Sequence, residues 1–345
     1  MTAIEAFCKQ LKNRYTPKKT SYTEPVSCWS EPDRFNDEII KAFVIILRTK
    51  GCLWSAKSGC TMCGYFNDSS LKTISDEHLI QQYKNAMKKY NNEPVVKIFN
   101  SGSFFDRDEV SPVVRDTIFD DLTNKTQKIA VESRPEFIKQ STLEEIQDFF
   151  TDTLLEVGIG LETADNTIRR ESVNKGFSFQ DYKLSTDLLH SYNHLIKTYV
   201  LLKPPFLTEK ESIDDCVHTI KKVKDITDTI SLNPTNIQKY TLVEYLWRHK
   251  QYRTPWLWSI IDVITKASAF TDKRIQCDIV AGGKIRGPHN CFTCDKTVLQ
   301  AIQSFSLTQD ISSFDDITCN CKNNWSDQLE IEPLSFGSII DIPTL

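Results

Sequence analysis

Long apolar runs are absent from this 345-residue sequence. The longest, such as residues 42–47 and 199–202, are strand-length and far short of the ~20 residues a membrane helix needs. The opening segment, MTAIEAFCKQLKNRY, lacks the apolar core of a signal peptide. The expectation is a soluble, cytoplasmic protein. No convincing internal repeat period is found. Nor is there a disorder-type composition: hydrophobic residues make up 40% of the chain, enough for a sizeable core. A basic excess is missing too. The net charge of −4 and pI of about 5.9 argue against a dedicated nucleic-acid binder. One local exception is the N-terminal group Lys9, Lys12, Arg14, Lys18 and Lys19, readable as a phosphate-contacting arm or as a plain solvated face. An even, evenly spread set of cysteines is also lacking. There are eleven, crowded in two places, which speaks against a disulfide framework and for metal binding in a reducing compartment. Cys8, Cys28 and Cys216 sit alone and read as buried thiols.

What is present is alternation. Short β-branched runs at residues 42–48, 95–100, 128–132, 154–161, 195–202 and 229–232 read as strands. Amphipathic stretches between them, including 76–90, 135–150, 179–192 and 210–224, read as helices, with Ser75 a helix start. Strands alternating with helices imply βαβ units and a parallel sheet. Six units rather than eight predict an α/β fold of the partial TIM-barrel kind, (β/α)6. Helical stretches follow at 240–249 and 256–270, then a loop-rich, cysteine-rich segment. The expected organisation is an N-terminal extension (1–40), a barrel (41–275) and a small Cys-rich, metal-binding C-terminal domain (276–345).

The first cysteine group, Cys52, Cys60 and Cys63, has the spacing C-x7-C-x2-C and follows the first expected strand. On a parallel barrel that is the C-terminal face, where active sites form. Thiolates are the usual ligands of iron–sulfur clusters. Three of them leave one iron of a 4Fe–4S cluster open to chelate S-adenosylmethionine, whose reductive cleavage gives a 5′-deoxyadenosyl radical. A structural zinc knuckle is the alternative, but it needs a fourth ligand, and the next candidate, His78, lies inside an expected helix.

The chain resembles the archaeosine synthase radical-SAM subunit family, related in its barrel to the catalytic subunit of Elongator. The resemblance spans roughly residues 25–335. It rests on the C-x7-C-x2-C loop, Phe99-Asn-Ser-Gly-Ser-Phe104, Glu132-Ser-Arg-Pro135, Gly158-Ile-Gly-Leu-Glu-Thr163, Leu202-Lys-Pro-Pro-Phe206, Tyr252-Arg-Thr-Pro-Trp-Leu-Trp258 and Gly287-Pro-His-Asn-Cys291-x-x-Cys294-Asp295. It implies a radical-SAM barrel whose cofactors are a 4Fe–4S cluster on Cys52, Cys60 and Cys63 and S-adenosyl-L-methionine. Tyr65 would shield the cluster and contact adenine. Asn100, Ser101, Gly102 and Ser103 would take the methionine amino group; the plain alternative is a strand-to-helix turn.

Other charged groups close the expected strands. Glu132 can accept ribose hydroxyls and Arg134 can grip a carboxylate, unless the two are a surface ion pair. Glu162 ends an apolar run after two glycines, where core filling is not its role. Lys203, Asn233, Gln238 and Lys239 are further cavity candidates. Cys291-x-x-Cys294 and Cys319-x-Cys321 fit a closed tetrahedral Zn2+ site. Cys277 and His289 are spare ligands there, and a second iron–sulfur cluster is the rival. Lys284, Arg286 and His289 offer RNA-contacting chemistry.

The function the resemblance implies is a lyase. It cleaves the C–N bond of a lysine joined to a 7-deazaguanine in the tRNA D-arm, giving archaeosine. The lysine adduct comes from a partner transferase subunit (ArcS), and a one-electron reductant is required. Alternatives are another radical-SAM tRNA-modifying enzyme, or a non-catalytic scaffold stapled by metals.

Overall fold

The structure, a computed structural model, describes residues 1–17 and 20–335. Lys18, Lys19 and the last ten residues of the expected C-terminal domain lie outside them. Among the described residues eight strands form one sheet in sequential order: β1 (Ser27–Phe35), β2 (Glu38–Ile46), β3 (Val95–Phe99), β4 (Lys128–Glu132), β5 (Leu154–Glu162), β6 (Leu195–Leu202), β7 (Thr229–Pro234) and β8 (Arg274–Gln276). From β2 onward every pairing is parallel. The helices are α1 (Ala3–Lys12), α2 (Leu53–Lys57), α3 (Asp76–Met87), α4 (Pro112–Thr123), α5 (Gln140–Ile146), α6 (Phe179–Ser191), α7 (Glu209–Val223), α8 (Leu242–Arg248), α9 (Leu257–Ser268), α10 (Asp295–Thr308) and α11 (Cys321–Ser335). Sequential winding with helical crossovers makes a partial barrel. No helix among the described residues is long and apolar enough to cross a membrane.

The six expected strands are β2 to β7. The two flanking strands differ from the sequence reading. β1, inside the expected extension, runs antiparallel to β2 through a two-residue turn, Asn36-Asp37, both with positive φ (49° and 62°). Its Pro32 is tolerated because the strand is an edge. β8 has three residues, too few for an alternating signal.

Side-chain alternation divides the sheet into two faces. Val96, Ile98, Ile129, Val131, Leu155, Val157 and Ile159 pack outward with Leu79, Ile118, Phe119, Leu143 and Leu189 of α3 to α6. A second cluster joins Val200, Leu202, Ile230, Leu232 and Ile275 to α7 and α9, and includes Val298, Ile302 and Phe305 of α10 and Cys321 of α11. The cysteine-rich segment is therefore not loop-rich throughout; α10 presents apolar residues at i, i+4 and i+7 to the barrel's own outer layer.

The inner face is polar. Lys97 pairs with Asp33 (2.9 Å) and Glu31 (2.8 Å), Arg274 pairs with Asp33 (2.5 Å), and Glu156 takes Lys197 (2.8 Å) and Lys128 (3.2 Å). Burial alone would raise both acids. Lys97 and Arg274 instead hold Asp33 well below the usual carboxylate range, and Lys197 and Lys128 pull Glu156 down to about 2. These groups form a charged plug, one that also bridges the first and last strands. Higher up, Glu132 lies opposite Gly158, and Gly160 opposite Tyr199.

Candidate active site and metal centre

The three-cysteine loop leaves β2 and is held on several sides. Cys52 opens the short helix α2. Trp54 Nε1 donates to Asn174 O (2.7 Å), Thr61 Oγ1 to Ser172 O (2.7 Å), and Asn174 Nδ2 to Ser58 Oγ and Gly59 O (both 2.8 Å). Gln238 Oε1 accepts from Gly64 N. All three thiols are free and partly buried. Burial raises Cys52 and pushes Cys63 up to about 12, and for both the neighbouring Cys60 adds to the effect. Thiols so placed ionise readily only beside a cation, as metal ligands do. His78 is not near: its ring faces the Ser75 hydroxyl at the start of α3 (3.2 Å).

The 100–103 turn lies directly under this loop. A Cβ built on Gly102 would fall on the Glu109 carboxylate and come within 2.8 Å of Cys52 Cα. Only glycine leaves that space. Glu109 accepts from Thr49 Oγ1 and Ser103 N (2.8 Å), Ser101 Oγ donates to Tyr65 O (3.1 Å), and Ser103 Oγ accepts from Arg134 N (3.1 Å). Asn100 is buried, and its Oδ1 has no hydrogen-bond partner among the described residues. An orphaned buried acceptor in the turn beneath the Cys52 loop is what a bound polar ligand would satisfy.

Glu132, Glu162 and Tyr65 face one another across the cleft. Burial raises Glu132, opposed by the Tyr199 hydroxyl, Lys197 and Lys175. Glu162 sits at φ 69° and pairs with Lys175 at 2.6 Å. Burial raises the Tyr65 phenol, and Cys63, Glu132 and Glu162 add to the shift. The residue as a whole is nonetheless 53% exposed, so Tyr65 stands at the edge of the cleft with its phenol turned inward. Arg134 lies over Trp54 and Phe177 (5.7 and 5.2 Å to the ring centres), donates to Lys175 O (3.0 Å) and pairs with Glu136 (2.6 Å). Asn233 accepts from Ser231 Oγ (3.2 Å), and Lys239 O accepts from Asn67 Nδ2 (3.2 Å).

Lys203 differs from its sequence reading. It is buried, its ammonium pairs with Glu209 of α7 and lies 4.0 Å from Glu332 of α11, and it fastens those helices to the end of β6. Three site groups were missed. Tyr199 was findable as an inward position of β6. Lys175 and Glu109 lie in irregular segments, where no periodic signal exists.

In the second group, Cys291 Sγ is 3.8 Å from Cys294 Sγ and 3.7 Å from Cys319 Sγ, and Cys294 Sγ is 3.7 Å from Cys321 Sγ. All four lie within 4.8 Å of one another, and the group could hold a metal ion. Bonds of about 2.3 Å give a tetrahedron with edges of about 3.8 Å, so the spacing suits one ion. Trp258 Nε1 donates to Cys321 Sγ (3.3 Å) and Asn290 Nδ2 to Cys294 Sγ (3.4 Å). Backbone amides of Cys294 and Thr293 draw Cys291 down to about 6. The spare candidates stand apart. Cys277 is buried, its amide on Ser306 Oγ (3.0 Å), and His289 turns Nδ1 to Gly287 O (2.8 Å) and stacks on Phe292.

A partial (β/α) barrel with a three-thiol loop at the end of its first parallel strand is the architecture of the radical S-adenosylmethionine enzymes. More narrowly, the chain belongs to the archaeosine synthase subunit beta family. It is 38% identical over 336 residues to the archaeosine synthase subunit beta of Methanosarcina acetivorans, spanning 96% of this chain and 97% of that one. To the archaeosine synthase subunit beta of Thermococcus kodakarensis it is 37% identical over 305 residues, 86% and 94% of the two chains. The solved structure of Elp3 from Methanocaldococcus infernus overlays with a TM-score of 0.46 at 12% identity, covering 68% of this chain and 60% of that one. No family model matches the chain.

Proposed function

We propose that this protein is the radical-SAM lyase of archaeosine formation, cleaving the C–N bond of a lysine attached to a 7-deazaguanine in the tRNA D-arm. The observation that carries the reading is the convergence of Cys52, Cys60 and Cys63 with Glu132, Glu162 and Tyr65 on one cleft. Cys52, Cys60 and Cys63 would hold the 4Fe–4S cluster. When bound, that cluster supplies the electron that cleaves S-adenosylmethionine to a hydrogen-abstracting deoxyadenosyl radical. Asn100, in the turn it forms with Ser101 to Ser103, offers its unpaired side-chain amide to the methionine end. Glu132 accepts hydroxyls, Arg134 and the Lys175–Glu162 pair present charge, and Tyr65 covers the mouth. Cys291, Cys294, Cys319 and Cys321 would hold zinc in a structural site, their spacing being that of a single tetrahedral ion. The partner is the transferase subunit (ArcS) that makes the lysine adduct; a one-electron reductant completes the system.

The test is anaerobic reconstitution with iron and sulfide, then reduction with S-adenosylmethionine, lysine-modified tRNA and the partner subunit. The expected result is 5′-deoxyadenosine together with archaeosine from the native chain, and neither from the variant with Cys52, Cys60 and Cys63 changed to Ala. Deoxyadenosine without archaeosine would leave the radical class standing and overturn the lyase assignment.

A further inference from the structure

Lys12 ends helix α1, well outside the barrel, yet its ammonium lies on the three-cysteine loop. Nζ donates to Ser55 Oγ at 2.9 Å and sits 5.0 Å from the centre of the Phe66 ring. A Cβ built on Gly59 would collide with Nζ and come within 2.9 Å of Cε. Gly59 holds φ 86°, a backbone shape that by itself disfavours a side chain. Ser55, Gly59 and Phe66 thus surround the ammonium with the very segment that carries Cys52, Cys60 and Cys63. The placement is fixed from behind. A capping box, Thr2 with Glu5, starts the helix, and Cys8 and Leu11 bury against Leu242 of α8. The charge reaches the thiols: Lys12 favours the ionised form of Cys63 and of the buried Cys8.

Two other cations stand near the loop: Lys175, which Glu162 neutralises at 2.6 Å, and Arg134, which favours the ionised form of Cys52 and is paired with Glu136 at 2.6 Å. The polar partner of Lys12 is a neutral hydroxyl, and no carboxylate among the described residues pairs with it. Its charge therefore acts unshielded by a counter-ion. Reduction adds one negative charge to an iron–sulfur cluster, and potentials follow the net charge around it. A half-buried cation held against the ligand loop stabilises the reduced form by Coulomb attraction.

We infer that Lys12 is a positioning residue for electron entry, raising the reduction potential of the group held by Cys52, Cys60 and Cys63. This rests on the assignment of a 4Fe–4S cluster to those cysteines. The experiment is a potentiometric titration of the reconstituted full chain, followed by electron paramagnetic resonance, for the native protein, Lys12→Met, Lys12→Gln and Lys12→Arg. The midpoint belongs to the clusters present, so partial loading does not disturb it. In Lys12→Met and Lys12→Gln the reduced-to-oxidised ratio at the native midpoint should fall about tenfold, a shift of ~59 mV to lower potential for one electron. Lys12→Arg should restore most of it. Midpoints unchanged in the uncharged variants would overturn the inference. So would complete loss of the cluster from both, which would make Lys12 an assembly residue. A native chain that takes up no cluster would instead refute the underlying assignment, and this inference with it.

Discussion

At Gly102 the limit is space. Its missing side chain leaves room that the Glu109 carboxylate and Cys52 Cα close in on from two sides, and a Cβ there must displace both. Glu109 is tied to Thr49 and to Ser103 N, so the loop carrying Cys52 is the softer neighbour. Gly102→Ala should lower the iron bound per chain by at least half and reduce stability by about 1–3 kcal/mol, the usual cost of overpacking. Iron and sulfide assay beside a thermal melt checks both. The residue scale also shows what a linear reading gains and loses. Cys52, Cys60 and Cys63 could be singled out in the sequence because thiol spacing is itself chemical information. Lys203 closes a strand as Glu162 does, yet its ammonium is turned to Glu209. What separates them is a partner six residues on, Glu209, whose location depends on how α7 folds back.

Among the elements, α10 and α11 depend on the second cysteine group. Cys294 immediately precedes α10 and Cys321 begins α11. Removing the metal proposed for that group should loosen both from the cluster they share with α7 and α9. The expected effect of a strong chelator, or of Cys294→Ala, is a fall in melting temperature of roughly 5–10 °C, corresponding to a few kcal/mol. Trp258, whose indole meets Cys321, should change its fluorescence in the same step. The strands β2 to β7 were readable because β-branched runs between amphipathic stretches leave little ambiguity. The expected helix at 135–150 is instead broken: a single turn at Pro135–Phe137, then α5, then another turn at Gln147–Phe149. The first break falls where Ile138 and Lys139 take extended backbone, after a turn that Pro135 merely begins, and no sequence period marks either break. α10 carried a periodic signal in Val298, Ile302 and Phe305, but the surrounding cysteines drew the reading toward a loop.

For the molecule as a whole, the decisive feature is the link between its edges. Arg274 of β8 meets Asp33 and Arg34 O of β1, across 241 and 240 residues of chain. Arg34 in turn donates to Leu307 O beyond β8 (3.1 Å). Contacts of such separation form late and contribute little to the folding transition state. Arg274→Met should therefore accelerate unfolding on the order of tenfold and leave refolding nearly unchanged, as stopped-flow measurement in denaturant would record. The same link has a consequence for biosynthesis. Translation proceeds at ~5–20 residues per second, so Asp33 waits roughly 12–48 s for its arginine to be made. Throughout that interval the sheet can grow strand by strand behind the ribosome, with its seam unsewn and its ionic interior still reachable by water.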